Sequence, residues 1–263
     1  YIPHGGGPCF FMEPSPPLPR DLWDKLAAYL KGIDKSLGTR PKAVLVISGH
    51  WEMARPTVNT APNHTLFFDY YGFPEHTYQL TYPAHNAPEV VARIEELLSR
   101  AGYRAGEDNH RGLDHGVFVP FKLIYPDADV PMIQLSLLES LDAAAHIKLG
   151  KALAPLRDEG VLIVGSGMSY HNLRAMYVQR QDVDNAVAEF DAWLTEAATD
   201  SDPERRNAKL AQWENAPWAR FCHPREEHLL PLHVAAGAAG DDVGRQTFGD
   251  KIVGKAISGY QFG

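Results

Sequence analysis

Three stretches of the chain are apolar rather than alternating, and they are rich in β-branched residues. They cover residues 43–48, 130–136 and 160–165. Continuous apolar character over so short a length is typical of strands that are buried on both faces of a sheet. Residues 1–3 are interpreted as the end of a further strand, and we expect a short N-terminal piece to precede Tyr1.

Between these stretches, apolar residues recur at helical spacing among good helix formers. The predicted helices cover residues 21–33, 88–101, 143–157 and 183–198. Pro88 suits the first turn of its helix, and the polar residues 158–160 would end the third helix. The two proline-rich or polar segments, 14–19 and 199–207, are predicted to be surface loops. Alternating strands and helices predict one α/β domain over residues 1–263, with a central, mostly parallel sheet flanked by helices.

Composition narrows the class of protein. The formal net charge is −8, and the 25 Lys and Arg residues form no dense cluster, which argues against nucleic-acid binding because phosphate recognition needs a basic face. Cys9 and Cys222 are too few for a disulfide framework or a Cys-rich zinc site. The apolar runs are far shorter than the roughly 20 residues that cross a bilayer, and no leader segment is visible. We expect a cytoplasmic protein, monomeric or homodimeric, with neither membrane nor nucleic acid as partner.

Several of the 12 histidines occur at strand ends or beside glycines. His50 follows the strand at 43–48, and His171 lies shortly after the strand at 160–165. Loops at the carboxyl ends of parallel strands carry the functional groups of such sheets, so we expect these side chains to meet. Neutral imidazole is the commonest protein ligand of iron, zinc, nickel and copper, which predicts a metal site. The candidates are His4, His50, His115, His171 and His228.

The remaining histidines are expected to be solvated or to pack in the core, although His76 could line a pocket. They are His64, His76, His85, His110, His146, His223 and His233. The string His-Gly-Gly-Gly that starts at His4 also occurs in lipase-like esterases as part of their oxyanion hole. That class needs Gly-x-Ser-x-Gly, and no serine of this chain has a glycine both two residues before and two residues after it, so a serine hydrolase is not expected.

An ordered set of motifs extends along nearly the whole chain. It comprises His-Gly-Gly-Gly-Pro (4–8), Ser-Gly-His-Trp (48–51), Tyr-Gly-Phe-Pro (71–74), Tyr-Pro-Ala (82–84), Asp-His-Gly (114–116), Tyr-Pro-Asp-Ala-Asp-Val-Pro (125–131), His-Asn-Leu-Arg (171–174) and Glu-His-Leu-Leu-Pro-Leu (227–232). This set resembles the class III extradiol ring-cleavage dioxygenases, in particular their 4,5-DOPA dioxygenase-like branch.

The resemblance implies an α/β enzyme built around one non-haem Fe(II), with Zn(II) possible in the purified protein. It implies His4, His50 and His228 as metal ligands. Protocatechuate-type relatives use two histidines and a glutamate, so Glu227 remains the alternative third ligand. His171 and His115 match the histidines that move protons in this family.

The implied reaction is cleavage of the ring of a catechol, DOPA-like or otherwise substituted, by O₂ to a semialdehyde. His171 would accept a phenolic proton, and His115 would donate one as the ring opens. Asp114 could orient His115 or simply form a turn, and Arg174 could pair with a substrate carboxylate or form a structural ion pair. The alternative function is a zinc-binding hydrolase or a non-redox metal-binding protein on the same scaffold, because zinc has no redox chemistry.

Overall fold

Six strands form the central sheet of the structure, a computed structural model that describes residues 1–263. They are β1 (Ile2–Pro3), β2 (Ala43–Met53), β3 (Thr57–Asn59), β4 (Gly106–Asp108), β5 (Met132–Leu138) and β6 (Val161–Gly167). Their order in the sheet is β1-β6-β2-β5-β3-β4. All neighbours pair in parallel except β3 and β5, which are antiparallel. The predicted α/β fold with a mostly parallel central sheet is confirmed.

Helices cover the sheet, and a β-hairpin closes the chain. The helices are α1 (Asp24–Ser36), α2 (Pro88–Arg100), α3 (His115–Ile124), α4 (Ala143–Leu153), α5 (Pro155–Asp158), α6 (Gln181–Ala198), α7 (Pro203–Ala211), α8 (Ala219–Cys222) and α9 (Leu230–Ala238). The hairpin consists of β7 (Gly244–Ile252) and β8 (Lys255–Phe262). Because helices pack on both faces, the middle of β2 is fully buried on both sides, which explains its continuous apolar sequence. No helix is both long enough and apolar enough to span a membrane.

Two sequence-based boundaries were wrong. The predicted helix at 143–157 is interrupted after Leu153, and Pro155 starts α5, because a proline lacks the N–H that would continue the helix. The predicted loop at 199–207 contains the start of α7. There Asp202 caps the helix by accepting hydrogen bonds from the next backbone N–H groups, and Pro203 occupies the first turn. His115 itself is the first residue of α3.

Arg206 of α7 ties that helix to the end of α9. Its side chain is fully buried, and the guanidinium donates to the carbonyls of Ala236, Gly240 and Asp242. The last carbonyls of a helix have no partner within the helix, so a buried arginine stabilises them. This contact holds α9 in place directly after His228.

Close backbone approach brings the segment before α9 against the sheet. A methyl group at Gly167 would overlap the carbonyl oxygen of His228, and a Cβ atom at Gly49 would lie 3.0 Å from the carbonyl oxygen of Glu227. Only glycine permits the spacing at residue 167, and the contact at Gly49 is close to that limit. The backbone of His228 is therefore held at the carboxyl ends of β2 and β6.

Candidate metal centre

All five candidate histidines meet at the carboxyl end of the sheet. The His4 ring lies 5.0 Å from that of His50 and 5.3 Å from those of His115 and His228, measured between ring centroids. The His171 ring stacks on that of His228 at 3.4 Å. The prediction that these side chains assemble in one place is confirmed.

His50 lies in an irregular part of β2 rather than in a loop after the strand. Regular pairing of β2 with β6 ends at Ser48, while the strand itself continues to Met53. Pairing with β5 shifts register between Ile47 and Glu52. Such bulges redirect side chains and are common next to functional sites, and here the bulge contains His50.

Three histidines each direct one ring nitrogen to a common point. One nitrogen of each of His4, His50 and His228 lies within 4.8 Å of those of the other two. The Nε2 atoms of His50 and His228 are only 3.1 Å apart. This spacing is compatible with three imidazole ligands around one ion.

The outer nitrogens of two of these rings are occupied by acceptors. His4 Nδ1 donates to the carbonyl of Gly5 at 2.9 Å, and His228 Nδ1 donates to Glu227 Oε1 at 2.8 Å. Because neither a carbonyl nor a carboxylate can donate, each ring carries its proton on Nδ1 and presents a lone pair on Nε2.

His4 Nε2 provides the test of whether a metal fits. This atom is buried and has no hydrogen-bond partner in the protein, a condition that costs free energy unless the atom is otherwise satisfied. A cation held by His4, His50 and His228 would satisfy it, and a set of three imidazoles suits iron or zinc. The residues present therefore fit a transition metal.

Burial keeps the three imidazoles in the form that binds metals. The pKa of His4, of His50 and of His228 is held well below its ordinary value, chiefly by burial and further by the neighbouring histidines. Metal ligands must be deprotonated, so neutral rings at neutral pH are ready to coordinate.

Glu227, the alternative third ligand, stands behind His228 instead of facing His4 and His50. Its Oε1 accepts from His228 Nδ1 and lies 3.1 Å from His171 Nδ1. Burial raises the pKa of Glu227, but the hydrogen bond from His171 and nearby positive charge outweigh it, so the net pKa is lowered and the carboxylate is ionised. The geometry favours His228 over Glu227 as the ligand.

Asp69, which sequence reasoning missed, orients His115. Its Oδ1 accepts from His115 Nδ1 at 2.8 Å and from the His115 backbone N–H at 2.9 Å. Its Oδ2 lies 3.4 Å from His50 Nδ1. The available signal was its position just before the Tyr-Gly-Phe-Pro motif that starts at Tyr71.

Asp114 does not orient the His115 ring. Its buried carboxylate accepts from Ser48 Oγ at 2.7 Å, from Arg111 at 3.2 Å and from Gln134. Burial raises the pKa of Asp114, and the charge of Asp69 adds to this. Asp114 thus links β2 to β5 beneath the site.

Other residues of the motifs and several of the remaining histidines have clear surroundings. Trp51 is almost fully buried, with the guanidinium of Arg111 4.9 Å above its ring, so it belongs to the core. Arg174 is exposed and forms no ion pair. Four further histidines are buried and bonded to backbone carbonyls, as their expected packing role requires. They are His64, His146, His223 and His233.

Comparison with known proteins agrees with this site. The family described as the catalytic LigB subunit of aromatic ring-opening dioxygenase matches residues 1–261. The 4,5-DOPA dioxygenase extradiol of Beta vulgaris is 44% identical over 80% of this chain and 77% of its own length. That of Mirabilis jalapa is 37% identical over 90% of this chain and 88% of its own length. A crystal structure of an uncharacterized Escherichia coli K12 protein superposes with a TM-score of 0.76 at 27% identity, covering 90% of this chain and 92% of the other.

The chain therefore belongs to the LigB family of aromatic ring-opening dioxygenases. It is a metal-dependent extradiol ring-cleaving oxidoreductase that acts on a small aromatic molecule with O₂.

Proposed function

We propose that the protein uses Fe(II), held by His4, His50 and His228, to cleave the ring of a catechol with O₂ to a semialdehyde. The observation that carries this proposal is the convergence of three imidazole nitrogens, one of which is buried without a partner. The names of the Beta vulgaris and Mirabilis jalapa relatives support a substituted, DOPA-like catechol.

Iron held by these three histidines would supply binding of the catechol and activation of O₂ in one place, which would bring the reactants together. His171 has its Nδ1 turned to Glu227, so its Nε2 is free to accept the phenolic proton of the substrate. The stacking of His171 on His228 sets this acceptor beside the proposed ligands.

His115 is suited to return a proton. Its ring centroid lies 4.0 Å from that of His50, and Asp69 holds its Nδ1. With its Nδ1–H bonded to a carboxylate, His115 would donate from Nε2 when the ring carries a second proton, and it would return to the neutral form with its remaining proton on Nδ1. An imidazole suits both tasks because its ordinary pKa is near neutrality.

The test is anaerobic loading with Fe(II), followed by air and a panel containing DOPA, caffeate and protocatechuate. We expect a yellow semialdehyde product and matched O₂ uptake with at least one of them. Zinc-loaded protein is the control and should be inactive, because zinc cannot activate O₂. Bound iron without product or O₂ uptake across the panel would refute the proposed substrate class.

A further inference from the structure

Two carboxylates outside the histidine set each contact two of its members. Asp69 contacts His115 through Oδ1 and approaches His50 through Oδ2. In both cases the contact is to Nδ1, the ring nitrogen on the side away from the common point. Asp69 therefore joins one proposed ligand to one proposed proton donor.

Glu227 makes the corresponding pair of contacts on the other side. Its Oε1 is shared by the Nδ1 atoms of His228 and His171. Again one proposed ligand and one proposed proton-transfer histidine depend on the same carboxylate. The two pairs have no member in common, so the two carboxylates act on separate parts of the site.

We propose that Asp69 and Glu227 are positioning residues that divide the site between them, Asp69 governing proton delivery by His115 and Glu227 governing metal binding by His228. This inference rests on the proposed function. The reason for the division is the difference in contact strength within each pair.

The distances indicate which contact dominates. Asp69 forms two short hydrogen bonds to His115, at 2.8 and 2.9 Å, but lies 3.4 Å from His50. Glu227 lies 2.8 Å from the nitrogen of His228 and 3.1 Å from that of His171. Hydrogen bonds weaken as they lengthen, so loss of Asp69 affects His115 most and loss of Glu227 affects His228 most.

Both carboxylates are well placed to act in this way. Their side chains are only 11% and 12% exposed, respectively, which strengthens a charge-assisted hydrogen bond relative to one in water. A carboxylate can only accept, so each fixes the ring proton on Nδ1 and leaves Nε2 directed into the site. Removal of such a partner from a metal-ligating histidine typically costs 10- to 100-fold in affinity or activity.

The first experiment needs no turnover. Zinc-loaded protein with ¹⁵N-labelled histidine reports the protonated nitrogen of each imidazole. We expect Asp69→Leu to change the His115 tautomer, whereas Asp69→Asn retains it because Oδ1 still accepts both bonds. Asp129 is a surface aspartate paired with Arg40. Asp129→Asn is therefore the matched control and should leave the His115 tautomer unchanged.

The second experiment measures zinc affinity by competition with a chromogenic chelator. Glu227→Met, which removes the acceptor, should weaken zinc binding about 10- to 100-fold, and Glu227→Gln should recover much of that loss. Asp69→Leu should weaken it by less than about threefold, since its contact with His50 is long. Glu159 is a surface glutamate paired with Arg93. Glu159→Gln is the control and should leave zinc affinity unchanged.

The third experiment uses iron-loaded enzyme and the best catechol. Asp69→Leu should lower kcat about 10- to 100-fold with KM changed less than about threefold, and Asp69→Asn should recover most of kcat. Thermal unfolding of each variant establishes that it is folded.

Two results would overturn the inference. One is an unchanged His115 tautomer in folded Asp69→Leu, and the other is unchanged zinc affinity in folded Glu227→Met. If wild-type iron enzyme cleaves no catechol while the tautomer and affinity effects appear as expected, the proposed function fails and the positioning roles stand.

Discussion

Gly116 offers a test of how tightly the site is packed. It is the second residue of α3, and a Cβ atom there would lie 2.6 Å from Ser48 Oγ and 2.9 Å from His50 Cδ2. Ordinary contact begins near 3.4 Å, so Gly116→Ala would displace the hydroxyl by roughly 0.8 Å and the imidazole by roughly 0.5 Å. The displaced hydroxyl would weaken its 2.7 Å hydrogen bond to Asp114.

The expected magnitude combines opposing effects. Alanine favours a helix over glycine by up to about 1 kcal/mol, whereas overpacking costs about 1–3 kcal/mol and the weakened hydrogen bond about 1 kcal/mol. We expect a net loss of about 1–3 kcal/mol in the free energy of unfolding. Zinc affinity should fall about tenfold, because His50 would move by about 0.5 Å, which is the limit of displacement at which functional sites keep their geometry.

The assay pairs urea unfolding with zinc competition, and Gly32→Ala is the matched control. Gly32 lies in α1 with no atom within 4 Å of a Cβ, so alanine there should stabilise the protein by about 0.5–1 kcal/mol and leave zinc binding unchanged. If Gly116→Ala also stabilised the protein and bound zinc like the wild type, the packing argument would be refuted.

Three further predictions concern other parts of the molecule. His50→Ala should lose the metal and His171→Ala should keep it but lose turnover; equal metal content in both variants would contradict the assigned roles. Burial lowers the pKa of His223 to about 3 from 6.5, so its contribution to stability is complete above about pH 6.5 and falls by about 1.4 kcal/mol per pH unit as the pH drops toward 3. Urea unfolding at several pH values should show this slope relative to His223→Gln, and parallel curves would contradict it. Arg206→Ala should cost about 3 kcal/mol or more because buried carbonyls lose a charged donor, whereas Arg205→Ala should cost far less because its ion pair is exposed to solvent; similar losses in both would be inconsistent with the α9 contact.

Local patterns were sufficient for four of the six strands of the central sheet and for the histidine set, whereas the short strands β3 and β4 were not predicted. Residues 43–48 and 160–165 are apolar because both faces of their strands are buried, and this leaves a trace in consecutive residues. His50 and His171 were identified because each follows such a strand. Strand ends of a parallel sheet converge, so the meeting of these side chains follows from the fold class alone.

The predicted helix boundaries differ from the structure at two places where neighbouring residues carry a capping or helix-breaking signal. Asp202 and Pro203 form a cap and first turn that predict the start of α7, whereas the polar composition of residues 199–207 alone favours a loop. Pro155 similarly marks the break between α4 and α5. These errors concern interpretation, since the information was present in neighbouring residues.

The sequence by itself determined the fold class, the family and the five histidines, because each leaves a pattern in consecutive residues or in ordered motifs. Only the tertiary structure decided which carboxylate contacts which histidine. Asp69 reaches His115 across 46 positions of the chain, and Glu227 turns away from the common point toward the Nδ1 atoms of His228 and His171. Hydrogen bonds depend on distances and directions set by the packing of the loops, and no pattern of neighbouring residues records these.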